Sequence, residues 1–390
     1  MEAMGEYVPL DLGRWCNVGP EWVGEGLEFP RGLQTLRGLP FQIGPASGEG
    51  PCFLGFGPGG YTAPVEIPLG RAFRWLIVAH RLLESHLLQG EMVGRQIACY
   101  RFRDARGGEV EVPIRERFEI SVVPPVWGQQ PFLAVPDRHD SLAPRYEGRW
   151  EQIGLRQTEA FQASPRWFVL WAWRNPCPER EVISLRIEPQ ERRFLVAAIT
   201  LSDLEEDPFG REPRQPLKIT LLSPERAERP FNLSVEVDRG VATYPYPLPA
   251  GTPQEFLEDA FRGWGQPYQG RSSPAYVEVA AQPSATVRLR QGEEELVRVS
   301  WGELLERKVV ETETARLEVV NRGKNWVHVT VLDEATGRPV PCRIHFRSPE
   351  GIPYQPYGHH DHLLSDMGTW HVDIGGDVRL GHVTYAYIDG

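Results

Sequence analysis

The sequence has little of what several large protein classes require. No apolar stretch approaches the roughly 18 residues of a membrane-spanning helix, and the strongest one, residues 73–79, contains Arg74. The five cysteines are an odd number without a Cys-x-x-Cys pair, which argues against a disulfide framework and against a zinc knuckle. The N-terminus carries Glu2, Glu6 and Asp11 where a signal segment would be basic and then apolar. We therefore expect a reduced, cytoplasmic protein that does not enter membranes.

Common catalytic signatures are also missing from the sequence. It contains no G-x-S-x-G elbow, no H-E-x-x-H helix, no P-loop and no dinucleotide-binding glycine fingerprint. The 42 Lys and Arg residues are outnumbered by 53 Asp and Glu, which gives a net charge of −11. Because an acidic surface repels phosphate backbones, nucleic-acid binding is not expected. We assign no residue a catalytic role.

Turn-forming and aromatic residues are abundant. The chain has 39 glycines, 36 prolines, 12 tryptophans and 12 tyrosines, a composition that favours short strands over helical bundles. Apolar runs bounded by Gly and Pro predict strands over residues 63–69, 73–79, 94–102, 109–114, 118–123, 167–173, 182–189 and 195–201. The predicted fold class is all-β: a jelly-roll sandwich over residues 1–203, followed by further β-sandwich units with one or two short helices.

Composition shifts divide the remainder of the chain. Residues 204–216 are charged and rich in proline, as in a linker. Residues 217–322 form a predicted middle β-rich domain with a helix near 253–262, where Thr252 caps and Pro253 opens the first turn. Residues 323–390 form a predicted third unit that is too short for a complete seven-stranded sandwich.

Motifs in the first domain resemble those of galactose-binding-like jelly rolls attached to hydrolases. The similar segments are Asp11-Leu12 with Asn17, residues 38–43, residues 98–104, residues 112–115 and the Trp-Arg-Asn-Pro-Cys-Pro-Glu run at 173–179. Where those domains have an acidic Asp-Gly turn, this chain has Asp104-Ala105-Arg106-Gly107.

The C-terminal third resembles two related types of protein. A strand, the turn Asp333-Glu334-Ala335-Thr336-Gly337 and a return strand at 339–346 are similar to carboxypeptidase-regulatory or transthyretin-like sandwiches. Residues 323–329, 340–346, 358–362 and 368–377 resemble the non-catalytic region that precedes the metal-binding domain of CehA/McbA-type PHP metallohydrolases. The resemblance implies an accessory role, either binding substrate or supporting oligomers, with catalysis in a downstream PHP domain. A homo-oligomer or that downstream domain is the partner we expect.

A histidine-rich segment leaves open a metal-dependent hydrolase that uses residues 359–377. His360 and His362 would share one strand face, and His371 with Asp373 another, with His359 adjacent, which offers the ligands that a zinc-like divalent ion takes. Only 28 residues follow His362, too few for the barrel that completes a PHP site. The alternative is a polar loop whose imidazoles cap turns.

A second alternative is a stand-alone carbohydrate-binding sandwich. Flat aromatic rings bind the C–H face of a sugar while charged and amide groups fix its hydroxyls. The residues of this kind on predicted loops of the first domain are Trp127, Arg138, His139, Asp140 and Tyr146. Aromatics in sandwiches are more often core residues, and we expect Trp167, Trp171 and Trp173 to fill the core.

Overall fold

The computed structural model of the chain describes residues 7–125, 130–139, 163–210, 215–242, 245–247, 271–320 and 327–344, together with the backbone of short strands elsewhere. It divides into two compact units, residues 1–139 with 163–209 and residues 140–162 with 210–390. The division near residue 209 falls within the segment predicted as a linker. The helix predicted near 253–262 lies outside the described residues.

Antiparallel strands dominate both units. In the first half of the chain the strands are β1 (Tyr7–Pro9), β2 (Gly32–Leu36), β3 (Leu39–Ile43), β4 (Leu54–Phe56), β5 (Val65–Ala72), β6 (Trp75–Leu82), β7 (Gln96–Asp104), β8 (Glu109–Arg115), β9 (Ala134–Pro136), β10 (Ser141–Leu142), β11 (Ala160–Phe161), β12 (Val169–Arg174), β13 (Glu181–Pro189) and β14 (Phe194–Ser202). In the second half they are β15 (Gln215–Leu221), β16 (Leu233–Val237), β17 (Gly240–Ala242), β18 (Tyr246–Pro247), β19 (Ala275–Ala281), β20 (Thr286–Gln291), β21 (Glu294–Ser300), β22 (Val309–Glu311), β23 (Ala315–Val319), β24 (Cys342–Ile344), β25 (Phe346–Arg347), β26 (Pro353–Tyr354), β27 (His362–Leu364), β28 (Asp377–Arg379) and β29 (Ala386–Ile388). The all-β prediction is confirmed.

The first unit is a sandwich of two antiparallel sheets. One sheet has the order β1–β14–β6–β12–β9 with β4 also paired to β14, and the other has the order β5–β13–β7–β8. Their facing sides meet in one hydrophobic cluster that includes Val78 and Trp171 from the first sheet and Ile67 and Leu185 from the second. This cluster is the main core of the unit.

The six-stranded sheet is buried on its outer face as well. Every residue of β6 and β14 is buried, which matches sequences that are mostly apolar. The hairpin β2–β3 covers the outer face, where Phe41 of β3 packs with Ile77 of β6 and Leu195 of β14 in a second cluster. The unit therefore has two hydrophobic layers around one central sheet.

The four-stranded sheet keeps a polar outer face. Arg101 on β7 forms ion pairs with Glu109 and Glu111 of β8 and with Glu188 of β13. The turn between β7 and β8 uses Gly107 at φ 83°, a conformation open to glycine, as the Gly-Gly pair predicts. Less and more exposed residues alternate along β5, as expected for a strand with one buried face, whereas Val110 of β8 is exposed together with Glu109 and Glu111.

The prediction of a strand over residues 118–123 is wrong. The segment forms a turn and then passes beside the end of β6, beyond the point where β12 begins. There Val122 forms a parallel bridge with Leu82, and the Leu82 amide donates to the Ser121 carbonyl. Its apolar side chains contact the core without a ladder, since Ile120 and Val123 are buried. An apolar run of six residues does not distinguish a strand from a loop that packs against the core.

The second unit is built on the same plan. A sheet of order β17–β19–β15–β23–β22, with β18 also on β19, is accompanied by the sheet β16–β20–β21. Residues of both sheets share a core with Trp301 and Leu304, which come from the short helix α2 (Trp301–Arg307). The other described α-helix is the four-residue α1 (Pro224–Ala227). The β-units thus contain short helices, as the sequence predicts.

The described C-terminal residues contain the predicted turn. The Asp333 carboxylate accepts from the Thr336 amide and hydroxyl, Gly337 has φ 64°, and Leu332 bridges Pro339. Further on, β24 pairs with β29, β25 with β26 and β27 with β28. Of the described helices, none combines the length and the apolar character needed to cross a membrane.

Candidate functional site

Several loops that contain buried or charged polar residues lie at one end of the first sandwich. The strand registers place Leu82 opposite Phe194, Val169 opposite both His80 and Pro136, and Gln96 opposite Arg115. These strands therefore begin or finish at the same edge of the two sheets. The connecting segments that lie there are residues 83–95, 116–125 and 190–193, together with the residues around Asp137. We call this edge the loop end. Loops held by a rigid sandwich are where such folds bind ligands.

Two of the five residues predicted to bind a ligand lie at the loop end in the described structure. Arg138 is exposed, its Nε donates to the Ser164 carbonyl at 2.8 Å, and its own carbonyl accepts from Arg37 Nη1 at 2.9 Å. His139 follows it and is half-buried. Trp127, Asp140 and Tyr146 lie outside the described residues, so the ligand site predicted around them stays a prediction.

Asp137, which sequence reasoning missed, fixes this corner. Its side chain is 4% exposed and accepts three backbone hydrogen bonds, from Arg166 at 2.8 Å, Trp167 at 2.8 Å and Phe168 at 3.0 Å. A buried carboxylate is stable when such donors replace its lost hydration. The start of β12 is thereby tied to the end of β9. A single Asp before Arg138 gives no sequence signal of this role.

A buried arginine lies beneath the same corner. Arg81 donates to the Val123 carbonyl and, at 3.3 Å, to the Trp167 carbonyl, and its guanidinium lies 5.7 Å from the ring centre of Phe29. Burial lowers its pKa to about 10, against the opposing effect of the Asp137 charge. Arg81 thus remains charged at neutral pH and connects three segments of the loop end.

A second polar cluster at the loop end is centred on Arg192. Its Nη2 donates to both carboxylate oxygens of Glu91, at 3.0 and 2.7 Å, and its Nη1 donates to His86 Nε2 at 2.9 Å. Arg95 pairs with Glu91 and, at 2.7 Å, with Glu191. Desolvation raises the pKa of Glu91, but the hydrogen bonds from Arg192 and Arg95 outweigh this effect, so the pKa is lowered. Because an arginine only donates hydrogen bonds, His86 Nε2 is the acceptor in this contact.

Glu116 is the buried member of this cluster. The residue is 2% exposed, and burial raises its pKa while the Ser85 hydroxyl, which hydrogen-bonds the carboxylate, lowers it. The charge of Glu91 raises this pKa further, and the charge of Arg192 lowers it. Ser85, His86, Glu91, Glu116 and Arg192 are called the Glu116 cluster below. The signal for it is weak in the sequence because its members come from three separate connections.

Three described side chains that could act as nucleophiles or bases, Cys16, Cys52 and His80, are held in unreactive forms. Burial, followed by the charges of Cys52 and Asp11, raises the pKa of Cys16 to about 12, and burial raises that of Cys52 to about 11. His80 is wholly buried, and burial lowers its pKa to about 4. A protonated thiol is a poor nucleophile, and a buried imidazole has no access to substrate. The arrangement at the loop end is suited to hydrogen bonding of a ligand.

The predicted metal site lies almost wholly outside the described residues. His359, His360, His371 and Asp373 are not described, and His362 is described only by its backbone in β27, where it pairs with Arg379. Within the part of the chain that the structure describes, no three His, Cys, Asp or Glu side chains are grouped so that they could hold a metal ion. A zinc-like ion at residues 359–373 stays a prediction.

Comparison with known proteins adds no relative. No protein-family model matches the chain, and no curated protein is significantly similar to it. The connection to PHP metallohydrolases therefore rests on the sequence motifs alone.

Proposed function

We propose that the chain is a non-catalytic recognition and support region of a PHP-type metal-dependent hydrolase. It binds substrate, or holds subunits together, for a PHP domain that carries out hydrolysis. In this proposal, the ligand that the first sandwich recognises is a carbohydrate.

The observation that supports the proposal most is the loop end of the first sandwich. There, Asp137, Arg81 and Arg192 fix three connections through partly buried hydrogen bonds, so polar groups are held in place before any ligand arrives. Such preorganisation lowers the entropic cost of binding. The thiols of Cys16 and Cys52 are held protonated, which suits recognition better than nucleophilic chemistry.

The test is turnover by the purified chain with Zn²⁺ or Mn²⁺ added. We expect hydrolysis of bis(p-nitrophenyl) phosphate and of p-nitrophenyl acetate to equal the buffer rate with the same ion. Metal-dependent turnover that is lost in His360→Ala and kept in His328→Ala would contradict the proposal. That result would favour the alternative of a small hydrolase that uses residues 359–377.

A second test concerns the catalytic partner. We expect the gene to continue past codon 390 into a region with an His-x-His strand and further metal-ligand clusters. A protein that includes this region should hydrolyse substrates that the present chain leaves intact. A gene that encodes no such region there or in a neighbouring frame would contradict the assignment to a PHP-type hydrolase.

A further inference from the structure

The loop of residues 85–93, between β6 and β7, has a backbone that is bonded only to itself among the described residues. The Gln89 and Glu91 amides donate to the His86 carbonyl at 3.0 and 3.2 Å, and these bonds close a single 3₁₀ turn. Three apolar side chains of the loop are exposed: Leu88, Met92 and Val93. A segment with so few buried contacts opens locally at a lower cost than the strands around it.

Side chains of the Glu116 cluster attach this loop to its neighbours. Arg192, on the connection between β13 and β14, donates to Glu91 at 3.0 and 2.7 Å and to His86 Nε2 at 2.9 Å. Only 12% of the Arg192 side chain and 19% of the Glu91 side chain are exposed. The Ser85 hydroxyl, at the start of the loop, hydrogen-bonds the carboxylate of Glu116. One arginine therefore holds the middle of the loop.

The contact between Arg192 and His86 requires a neutral imidazole. An arginine only donates hydrogen bonds, so His86 Nε2 has to accept. An imidazolium carries N–H groups on both nitrogens and has no acceptor left. Histidine is the side chain that gains a proton in mildly acidic solution. Protonation of His86 therefore breaks this contact and places two cations side by side.

The surrounding charges change in the same direction. The charged groups linked with His86 through ion pairs, hydrogen bonds or electrostatic interaction are Glu91, Arg95, Glu116, Glu191 and Arg192. At neutral pH these are three carboxylates and two guanidinium groups. Burial raises the pKa of Glu116, so this carboxylate also gains a proton as the pH falls. Two carboxylates then face three cations.

The other charged residues on these connections have partners of their own. The Glu84 carboxylate accepts from the Arg193 amide at 3.0 Å, and Glu119 pairs with Arg115 at 2.6 Å. Arg117 lies over the ring of Phe132 at 4.9 Å. The response to pH therefore depends on His86 and on the network that includes it.

We propose that residues 85–93 form a pH-sensitive lid, which Arg192 holds against the first sandwich at neutral pH and releases when His86 is protonated. Because Ser85 belongs to the lid and hydrogen-bonds Glu116, opening gives that buried carboxylate access to water. This device does not depend on the proposed function, since it involves no ligand.

The test is hydrogen–deuterium exchange of the intact chain, measured by mass spectrometry at about pH 7.5 and about pH 5.5. Each rate is divided by the rate of an unstructured peptide at the same pH. A single 3₁₀ turn is unstable alone, so we expect the protection of residues 85–93 to fall at least about threefold at the lower pH. The peptide of β14 is the reference and should stay protected. An unchanged loop, or an equal fall in β14, would overturn the lid.

Two substitutions of the exposed His86 separate its protonation from other effects. His86→Gln keeps an acceptor for Arg192 at every pH and should remove the pH response of the loop. His86→Lys carries a positive charge without an acceptor, and it should lower the protection already at the higher pH. The matched control is His328→Gln, which changes another exposed histidine and should respond to pH as the unchanged chain does. A pH response that survives in His86→Gln would contradict the role of this imidazole.

Discussion

His80 couples the folding of the first sandwich to pH through a single side chain. Its Nε2–H donates to the Glu119 carbonyl at 2.8 Å, its Nδ1 accepts from the Tyr100 hydroxyl at 3.3 Å, and its ring stacks on Trp171. The neutral imidazole is therefore fully satisfied in the core. The folded-state pKa is about 4, below the ordinary value of 6.5, because burial disfavours the charged form.

From this shift we predict a loss of stability as the pH falls. The unfolded chain binds a proton on His80 below about pH 6.5, and the folded chain does so only near pH 4. The free energy of unfolding should thus fall between these values, by about 3 kcal/mol in total, and the contribution should be constant above pH 6.5. Urea unfolding of the first unit at several pH values measures it.

The control separates His80 from other titrating groups. His80→Gln should lose most of the slope between pH 6.5 and 4, while His328→Gln, at an exposed position, should keep it. An unchanged slope in His80→Gln would show that other groups cause the acid sensitivity.

At the residue scale, the sequence predicts which residue types bind ligands better than it predicts where they meet. Arg138 and His139 were expected on a loop and do lie at the loop end. Glu116 and Arg192 were not predicted, because the five strands β9 to β13 separate them in the chain and only the folded sandwich brings them to the same end. Asp137 was missed for a similar reason, since its three donors come from residues 166–168.

At the scale of elements, α2 shows how tertiary contacts override local propensity. The helix begins at Trp301 after the cap Ser300, and the Gly302 amide donates to the Pro283 carbonyl at 2.7 Å. A Cβ on Gly302 would lie 2.8 Å from that carbonyl oxygen. Backbone cannot move away as easily as a flexible side chain, so the glycine is required by the close approach.

We predict that Gly302→Ala destabilises the second unit by about 1–3 kcal/mol, the usual cost of overpacking. Alanine is the better helix former by about 1 kcal/mol, so propensity alone predicts the opposite sign. Chemical unfolding of the variant measures the difference. The control Glu306→Ala changes an exposed position of the same helix and should stay within about 0.5 kcal/mol of the unchanged chain. A variant Gly302→Ala that is as stable as the unchanged chain would contradict the close contact.

Most strands of the first unit could be predicted from the sequence, and the failures have a common cause. The β7–β8 hairpin was predictable because two apolar, strand-like runs flank a Gly-Gly turn. The prediction of a strand was wrong for residues 118–123 and for Trp167. These apolar residues pack on the core without belonging to a strand ladder. Trp167 precedes β12, and its indole N–H donates to the Glu28 carbonyl at 3.2 Å. Apolar sequence predicts burial, but strand pairing depends on neighbours distant in the chain.

At the scale of the whole molecule, the five cysteines should fall into two classes. Cys52 and Cys99 are buried, and Cys16, Cys177 and Cys342 are half-buried. Burial raises the pKa of the Cys16, Cys52 and Cys99 thiols. Because the thiolate is the reactive form, we predict that a thiol reagent such as DTNB at pH 8 reacts more slowly with these three thiols than with Cys177 and Cys342.

The reagent should count two fast thiols in the native chain and five in guanidinium chloride. Cys177→Ser and Cys342→Ser should each remove one fast thiol and leave the slow class unchanged. Fast reaction at Cys16 or Cys52 would contradict the burial on which the non-catalytic assignment partly rests.

The central sheet of the first unit, enclosed between two apolar layers, limits how this protein can diverge. Along β6 and β14, successive side chains pack into one hydrophobic layer or the other. A substitution at any position of either strand would therefore require one of the two layers to repack. Variation among descendants of this sequence should therefore accumulate at the rim, where connections of any length can be grafted. Such a scaffold can acquire a new binding preference while its interior stays the same.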